Sequence, residues 1–298
     1  MVGSAIVRRL GTAKCEVLTI ARSELDLTRQ SDVERWLEKQ RPDAIIMAAA
    51  RVGGIHANTT FPAEFLSINL MIGSNVVSAA HRAGVPRLVN LGSSCMYPLA
   101  APQPIAEASL GHGPPEPTNA AYAMAKLATA ALAECHRRQY GVDYVTVIPT
   151  NLYGPGDNFD PTMSHVAPAL MRRMIEARDK DAPMVEIWGS GTPRHELMYV
   201  DDAADAIFFV LEHYSSAEPI NIGVGADVSI RELARIIAEV VGYRGELQFD
   251  TTRPDGAPRR LLDSSRLAAL GWQASTDLAD GLAQMYRWYS NRRVHVAA

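Results

Sequence analysis

Short apolar runs alternate with stretches of helical periodicity through the first half of the chain, the pattern of strand–helix–strand units that build a parallel sheet. Glu16-Val17-Leu18-Thr19-Ile20 reads as a strand. Ser31-Asp32-Val33-Glu34 then opens a helix with a serine cap and a glutamate three residues later, and Pro42 closes it. Ala44-Ile45-Ile46-Met47-Ala48 is apolar throughout, as a strand covered by helices on both faces must be. A long helix is expected after Phe61-Pro62, stopping at Gly84. Arg87 to Leu91 and Tyr144 to Ile148 supply two more strands, with a helix from Ala121 to Tyr140, closed by Gly141, between them.

After Pro149 the texture changes. Tyr153-Gly154-Pro155-Gly156 and Gly189-Ser190-Gly191-Thr192-Pro193 interrupt shorter elements, and a second capping box at Ser229-Ile230-Arg231-Glu232 starts a helix to about Val241. The expected architecture is a doubly wound, parallel, Rossmann-type α/β domain with a smaller C-terminal α/β lobe. Residues 1–155, joined by about 194–224, form the dinucleotide-binding half; 156–193 and 225–298 form a substrate lobe, and the site lies between them.

Composition narrows the classes. With 298 residues, 47% hydrophobic and 21% charged, the chain is neither disordered nor a coiled coil. A net charge of -4 supplies no positive field for a phosphate backbone, so no nucleic-acid partner is expected. No run approaches the roughly 18 uninterrupted apolar residues of a membrane span, and no basic segment followed by a long apolar one opens the chain. The expectation is a cytoplasmic protein with no membrane partner. The three cysteines, Cys15, Cys95 and Cys135, form no C-x-x-C pair, so no metal is expected, and Cys15 and Cys135 read as buried packing residues.

Candidate chemistry begins with what is missing. In a dinucleotide fold the first strand runs into a glycine-rich turn whose following helix aims its amides at the pyrophosphate. Met1-Val2-Gly3-Ser4-Ala5 looks like the last glycine of such a turn with no strand before it; a frayed helix start with a chance glycine fits equally well. Arg22, after the Glu16–Ile20 run, suits a 2′-phosphate and hence NADP(H), or is a solvated surface arginine.

Tyr122 and Lys126 are spaced i, i+4 on one helix, so both face the same way. An ammonium beside a phenol favours its anion, making tyrosine a usable proton donor and acceptor. Gly92-Ser93-Ser94-Cys95 follows a strand end, where a parallel sheet opens into its ligand crevice, and a serine there can polarise a carbonyl. A local turn would explain the serines equally well.

Taken with these motifs, the blocks Ala48-Ala49-Ala50-Arg51-Val52-Gly53-Gly54-Ile55, Leu91-Gly92-Ser93-Ser94-Cys95-Met96-Tyr97-Pro98, Pro149-Thr150-Asn151-Leu152-Tyr153-Gly154-Pro155, Trp188-Gly189-Ser190-Gly191-Thr192-Pro193 and Arg253-Pro254-Asp255-Gly256-Ala257-Pro258-Arg259 resemble the extended short-chain dehydrogenase/reductases. Within that family they resemble the members that act on GDP-sugars as combined epimerase and reductase. The resemblance runs from Met1 to about Tyr289. It implies conversion of GDP-4-keto-6-deoxy-D-mannose to GDP-L-fucose by epimerisation at carbons 3 and 5 and NADPH-dependent reduction at carbon 4. Ser93, Tyr122 and Lys126 would be the reductase triad, with Cys95 and His165 moving the protons of the epimerisations.

Gly3, Arg22, Leu91, Gly92, Ser93, Ser94, Lys126, Pro149, Thr150, Asn151, Leu152 and His165 would contact NADP(H). Arg173, Trp188 and Arg260 would face the GDP-sugar. At His195 the family's pattern has arginine, and Arg194 is expected to substitute from next door. The resemblance also implies a homodimer through paired long helices. The family's first strand and most of its glycine-rich turn are absent from this chain, so the sequence as written reads as a fragment or a misplaced start, poorly soluble or unable to bind NADPH. Another sugar-nucleotide epimerase or reductase of the family, or a truncated non-catalytic paralogue, are the alternatives. A 4,6-dehydratase fits less well because Ser94-Cys95 stand where its acid pair is expected.

Overall fold

Four strands, Ala44–Met47, Arg87–Leu91, Asp143–Pro149 and Ile220–Ile222, lie side by side in that order and all run parallel. The structure is a computed structural model that describes residues 1–253 and 255–296; Pro254, one residue of the last quoted block, lies outside the described residues. Because successive strand residues point to opposite faces, the first three strands feed two cores. Val89, Leu91, Val145 and Val147 pack against Ala203, Ala204 and Ile207 of the helix Val200–His213 and against Ala5 and Ile6 of the helix Val2–Leu10. Leu88 and Tyr144 face the other way, onto Val33 and Leu37 of Gln30–Gln40, Val76, Val77 and Ala80 of Pro62–Arg82, and Ala133 of Ala120–Tyr140. Helices on both faces of a parallel sheet make the doubly wound, Rossmann-type fold that the alternation predicts.

Pro62–Arg82 is long and apolar enough by composition to cross a membrane, unlike the expectation that no segment would be. Here its Phe65, Asn69, Gly73, Val76, Val77 and Ala80 are buried. It crosses the helix Ala120–Tyr140 at Gly73, where a Cβ would lie 2.1 Å from Thr129 Oγ1. That close crossing sets the depth at which the helix bearing Tyr122 and Lys126 sits against the sheet.

A further core belongs to the C-terminal part. Leu170, Met171, Met174 and Ile175 of the helix Val166–Asp179 pack with Leu233 and Ile237 of Ile230–Val241, Val185 and Ile187 of the strand Met184–Trp188, and Leu282 and Met285 of the helix Leu278–Val296. Met184–Trp188 pairs in parallel with Glu246–Asp250. Arg194–His195 lies between Arg259–Arg260 and Val228–Ser229. The capping box at Ser229 forms as expected: its hydroxyl accepts from the Glu232 N–H at 3.1 Å while the Glu232 carboxylate accepts from the Ser229 N–H at 2.8 Å.

Three further expectations differ. Glu16 to Ile20 forms no strand; Leu18 and Ile20 are 41% and 36% exposed, and among the described residues no ladder runs beside them. An apolar run becomes a strand only where a neighbour takes its backbone hydrogen bonds. The helix expected to start at Ser31 begins at Gln30, with Arg29 at its cap and no capping side chain. Glu34 accepts from Gln30 Nε2 at 2.6 Å and pairs with Arg82, so it is not turned back toward the helix start. Cys15 and Cys135 are exposed rather than buried: Cys15 lies in the bend after Val2–Leu10, and Cys135 on the solvent side of Ala120–Tyr140.

Candidate active site

The carboxyl end of Arg87–Leu91 turns at Gly92 and Ser93 into a short 3₁₀ turn, Ser94–Met96. Ser93 caps that turn, its hydroxyl accepting from the Cys95 N–H at 3.3 Å. The helix bearing Tyr122 packs on this turn, and the phenol lies close enough to Ser93 and Cys95 for both to shift its titration. Ser93, Cys95 and Tyr122 are thus brought around one position. Burial drives the Tyr122 phenol well above its ordinary value, Cys95 adds to the rise, and the Ser93 hydrogen bond offsets part of it.

The expected depression of that phenol by Lys126 is corrected. The Lys126 ammonium is 6% exposed, donates to the Leu91 carbonyl at 2.7 Å and stands 5.9 Å from the centre of the Tyr122 ring. Desolvation outweighs an ammonium held at that distance, and it pulls Lys126 itself down to about 8. A phenol that stays protonated is suited to donate its proton.

His165 stands at the cap of the helix Val166–Asp179. Solvent reaches its side chain, yet the surrounding atoms desolvate the imidazole and hold it below its ordinary value, which favours the neutral ring that accepts a proton. The preceding residues pack against Gly53 and Gly54: the Met163 carbonyl accepts from the Gly54 N–H at 3.1 Å. Phe65, which borders Gly53, meets the Tyr122 ring edge-on at 6.5 Å.

Beside this turn, Gly92 N–H donates to the Val147 carbonyl at 2.8 Å, so Leu91–Ser94 and Pro149–Leu152 leave neighbouring strand ends together. Thr150 N–H donates to Ile222 at 3.0 Å. The Thr150 hydroxyl and Asn151 Nδ2 donate to the Glu196 carbonyl at 3.3 and 3.2 Å, and Leu152 pairs with Met198. Met1, which caps the helix Val2–Leu10, lies beside Gly156, and no atom lies within 4 Å of where a Gly3 Cβ would be. Arg22 is exposed; the nearby Asp26 carboxyl is lowered chiefly by the Thr28 N–H and hydroxyl, with Arg29 and then Arg22 adding less.

On the substrate side, the register of Arg259–Arg260 against Arg194–His195 decides between adjacent residues. Arg194 pairs with Arg259 and His195 with Arg260. Arg194 and Arg259 both bind Asp227, at 2.7 and 2.5 Å, and Arg194 also meets Glu232 at 3.3 Å. Arg260, 8% exposed, donates to the Ser94 carbonyl at 2.6 Å. Period-two alternation turns Arg194 away from the side shared by His195 and Arg260, so Arg194 stands on Asp227 and Glu232 rather than beside His195. Desolvation, with the Arg260 guanidinium second, holds His195 down to about 4; its ring is neutral. Arg173 donates to the Glu186 carbonyl. Trp188 is 62% exposed, with the Arg253 guanidinium 4.9 Å from its ring centre.

Sequence reasoning passed over two anchors. Glu196, fully buried, accepts from the N–H groups of Val224, Gly225 and Leu262 at 2.6, 2.8 and 3.0 Å. Burial raises its carboxyl above the usual range and those bonds pull it back. Its signal was a lone charge in the run Glu196-Leu197-Met198-Tyr199-Val200. Asp255 accepts from the Ser190 N–H at 2.9 Å and hydroxyl at 2.7 Å, fastening the loop after Trp188.

Residues 1–223 match the family described as NAD dependent epimerase/dehydratase. A GDP-L-fucose synthase of Sinorhizobium fredii (strain NBRC 101917 / NGR234) is 52% identical over 286 residues, covering 96% of this chain and 91% of that protein. The chain belongs to the NAD dependent epimerase/dehydratase family. Two solved structures share the arrangement of this NAD dependent epimerase/dehydratase family member. A GDP-6-OMe-4-keto-L-xylo-heptose reductase from C. jejuni superposes with a TM-score of 0.91 at 32% identity, over 98% of this chain and 95% of that one. A GDP-L-fucose synthetase from Naegleria fowleri bound to NADP gives 0.90 at 26% identity, over 98% and 91%.

Proposed function

We propose that the chain converts GDP-4-keto-6-deoxy-D-mannose to GDP-L-fucose, inverting carbons 3 and 5 and then reducing the ketone at carbon 4, with NADP(H) as redox cofactor. The likeness to GDP-L-fucose synthase at 52% identity supports the substrate. The observation that carries the reading is the packing of the helix bearing Tyr122 and Lys126 on the Ser93–Cys95 turn, fastened by the Lys126 bond to Leu91. A ketone oxygen received by the two hydroxyls is polarised, which acidifies the carbon-bound protons beside it and prepares the carbonyl for reduction. Cys95 and His165 then act on opposite faces of the sugar, one taking a proton from the carbon next to the ketone and the other returning one. Tyr122 delivers its phenolic proton to the ketone oxygen when carbon 4 is reduced.

The residues present fit a nicotinamide dinucleotide. The buried Lys126 ammonium spends one donor on Leu91 and has two left for ribose hydroxyls, and Leu91–Ser94 and Pro149–Leu152 line adjacent strand ends. When bound, NADPH supplies the reducing equivalents. Arg260 and Arg173 supply positive charge for the diphosphate, and Trp188 supplies apolar area. The test is product analysis by NMR after incubation with the keto sugar and NADPH in heavy water. The reading requires deuterium at carbons 3 and 5 together with NADPH consumption; a chain that produces neither is not this enzyme.

The same reading puts the chain in the cytoplasm as a homodimer. Leu66, Leu70, Met71 and Met124 are each at least 38% exposed on the outer faces of Pro62–Arg82 and Ala120–Tyr140, an apolar surface suited to a second copy. Sedimentation of wild type and Met124→Asp checks it: a dimer made monomeric by the charge is expected, and a monomeric wild type refutes it.

A further inference from the structure

The run Val52-Gly53-Gly54-Ile55 has no part in the chemistry above, yet it touches the segment leading into His165. The Gly54 N–H donates to the Met163 carbonyl at 3.1 Å. A Cβ on Gly54 would lie 2.7 Å from the Ser164 carbonyl oxygen and 3.7 Å from that of Met163. At φ -68° and ψ -177° the Gly54 backbone is open to any residue. What leaves no room for a side chain is the closeness of the two residues before His165.

The turn is held from behind. Asn58, 3% exposed, donates through Nδ2 to the Gly53 and Gly54 carbonyls at 2.8 and 3.1 Å. From the opposite side the Asp160 carboxylate accepts from the Met163 N–H at 3.0 Å and from the Thr162 N–H and hydroxyl at 2.8 Å each. Met163 is therefore gripped at both its N–H and its carbonyl. His165 makes no side-chain capping bond to its own helix, so main-chain contacts upstream set where the imidazole stands.

We infer that Gly54 is a positioning residue for His165: its bare backbone lets the Met163–Ser164 segment lie close, and Asn58 and Asp160 hold the two sides of that contact. The role rests on the functional reading above, in which His165 moves carbon-bound protons while the hydride step is carried by other side chains. A displacement of about 1 Å at a reacting group costs on the order of 100-fold. Moving this loop therefore penalises proton exchange and spares hydride transfer, which depends on Ser93, Tyr122 and Lys126.

Two assays on the full chain separate the steps. Deuterium entry into GDP-4-keto-6-deoxy-D-mannose in heavy water with NADP⁺ reads proton exchange. Initial oxidation of GDP-L-fucose at saturating NADP⁺ reads hydride transfer. Gly54→Ala is expected to lower deuterium entry by about ten-fold or more while oxidation stays within about two-fold. Asp160→Ala, at an exposed residue whose loss leaves the core intact, should move the ratio the same way by less. If both activities fall together in both variants, or neither changes, the role is wrong. A wild-type chain with neither activity overturns the functional reading itself, and this role with it.

Discussion

The buried Lys126 ammonium donates to the Leu91 carbonyl at 2.7 Å, tying the helix that carries Tyr122 to the last residue of the strand before Gly92 and Ser93. One bond thus couples the two elements whose side chains must meet over the ketone.

Desolvation holds Lys126 down to about 8, so the ammonium is lost as pH rises through that value. Carbon 4 reduction should decline above about pH 8. Stability moves the other way. The unfolded chain keeps this proton to about 10.4, so between the two values the native state binds fewer protons and this group's contribution to unfolding free energy rises with pH. Its full penalty is present below about 8. Lys126→Met should remove both dependences, read from initial rates of NADPH oxidation and from urea midpoints at pH 7 and 9.5. A rate flat to pH 10 in the wild type contradicts the assignment.

Tyr122→Phe and Cys95→Ser should separate. Loss of the phenol hydroxyl removes both the proton donor and one of the two groups on the ketone oxygen, so exchange and hydride transfer should each fall by about 100-fold or more. Cys95→Ser should cost about as much in exchange while NADP⁺-dependent oxidation of GDP-L-fucose survives, because that step moves no carbon-bound proton through the thiol.

Arg194 and Arg260 are one strand pairing apart and face opposite ways. Arg260→Met should raise KM for the GDP-sugar about ten-fold or more, the scale of a charge-assisted hydrogen bond. Arg194→Met should leave KM within about two-fold, since its half-exposed guanidinium serves Asp227 and Glu232. Steady-state kinetics with varied sugar nucleotide decides it; an equal rise in both variants would show that the register is not what separates them.

Glu196→Ala should leave the Val224, Gly225 and Leu262 N–H groups without their acceptor. Buried donors stripped of a partner cost about 1–3 kcal/mol each, so a loss of about 3 kcal/mol or more is expected in urea unfolding. An unchanged midpoint would mean that water replaces the carboxylate.

The local pieces were legible because neighbours in the chain encode them. Apolar runs marked Arg87–Leu91 and Asp143–Pro149 as strands, and Gly141, at φ 70°, marked the end of the tyrosine helix because glycine enters the left-handed region freely. The i, i+4 spacing put Tyr122 and Lys126 on one side of that helix, and Gly92-Ser93 at a strand end put a hydroxyl within reach. Each of these follows from backbone geometry over a few residues.

Tertiary structure decided the rest. That Arg194 turns outward while His195 turns toward Arg260 depends on a pairing with a strand some 65 residues later. That Lys126 bonds Leu91 and leaves the phenol to burial depends on how closely two helices cross at Gly73 and Thr129. Exposed Cys15 and Cys135, the unpaired Glu16–Ile20 run and the buried Glu196 follow the same rule. The sequence by itself determined which residues repeat along a strand or helix; what each side chain touches, and so its charge state, was settled only when distant segments removed water from around it.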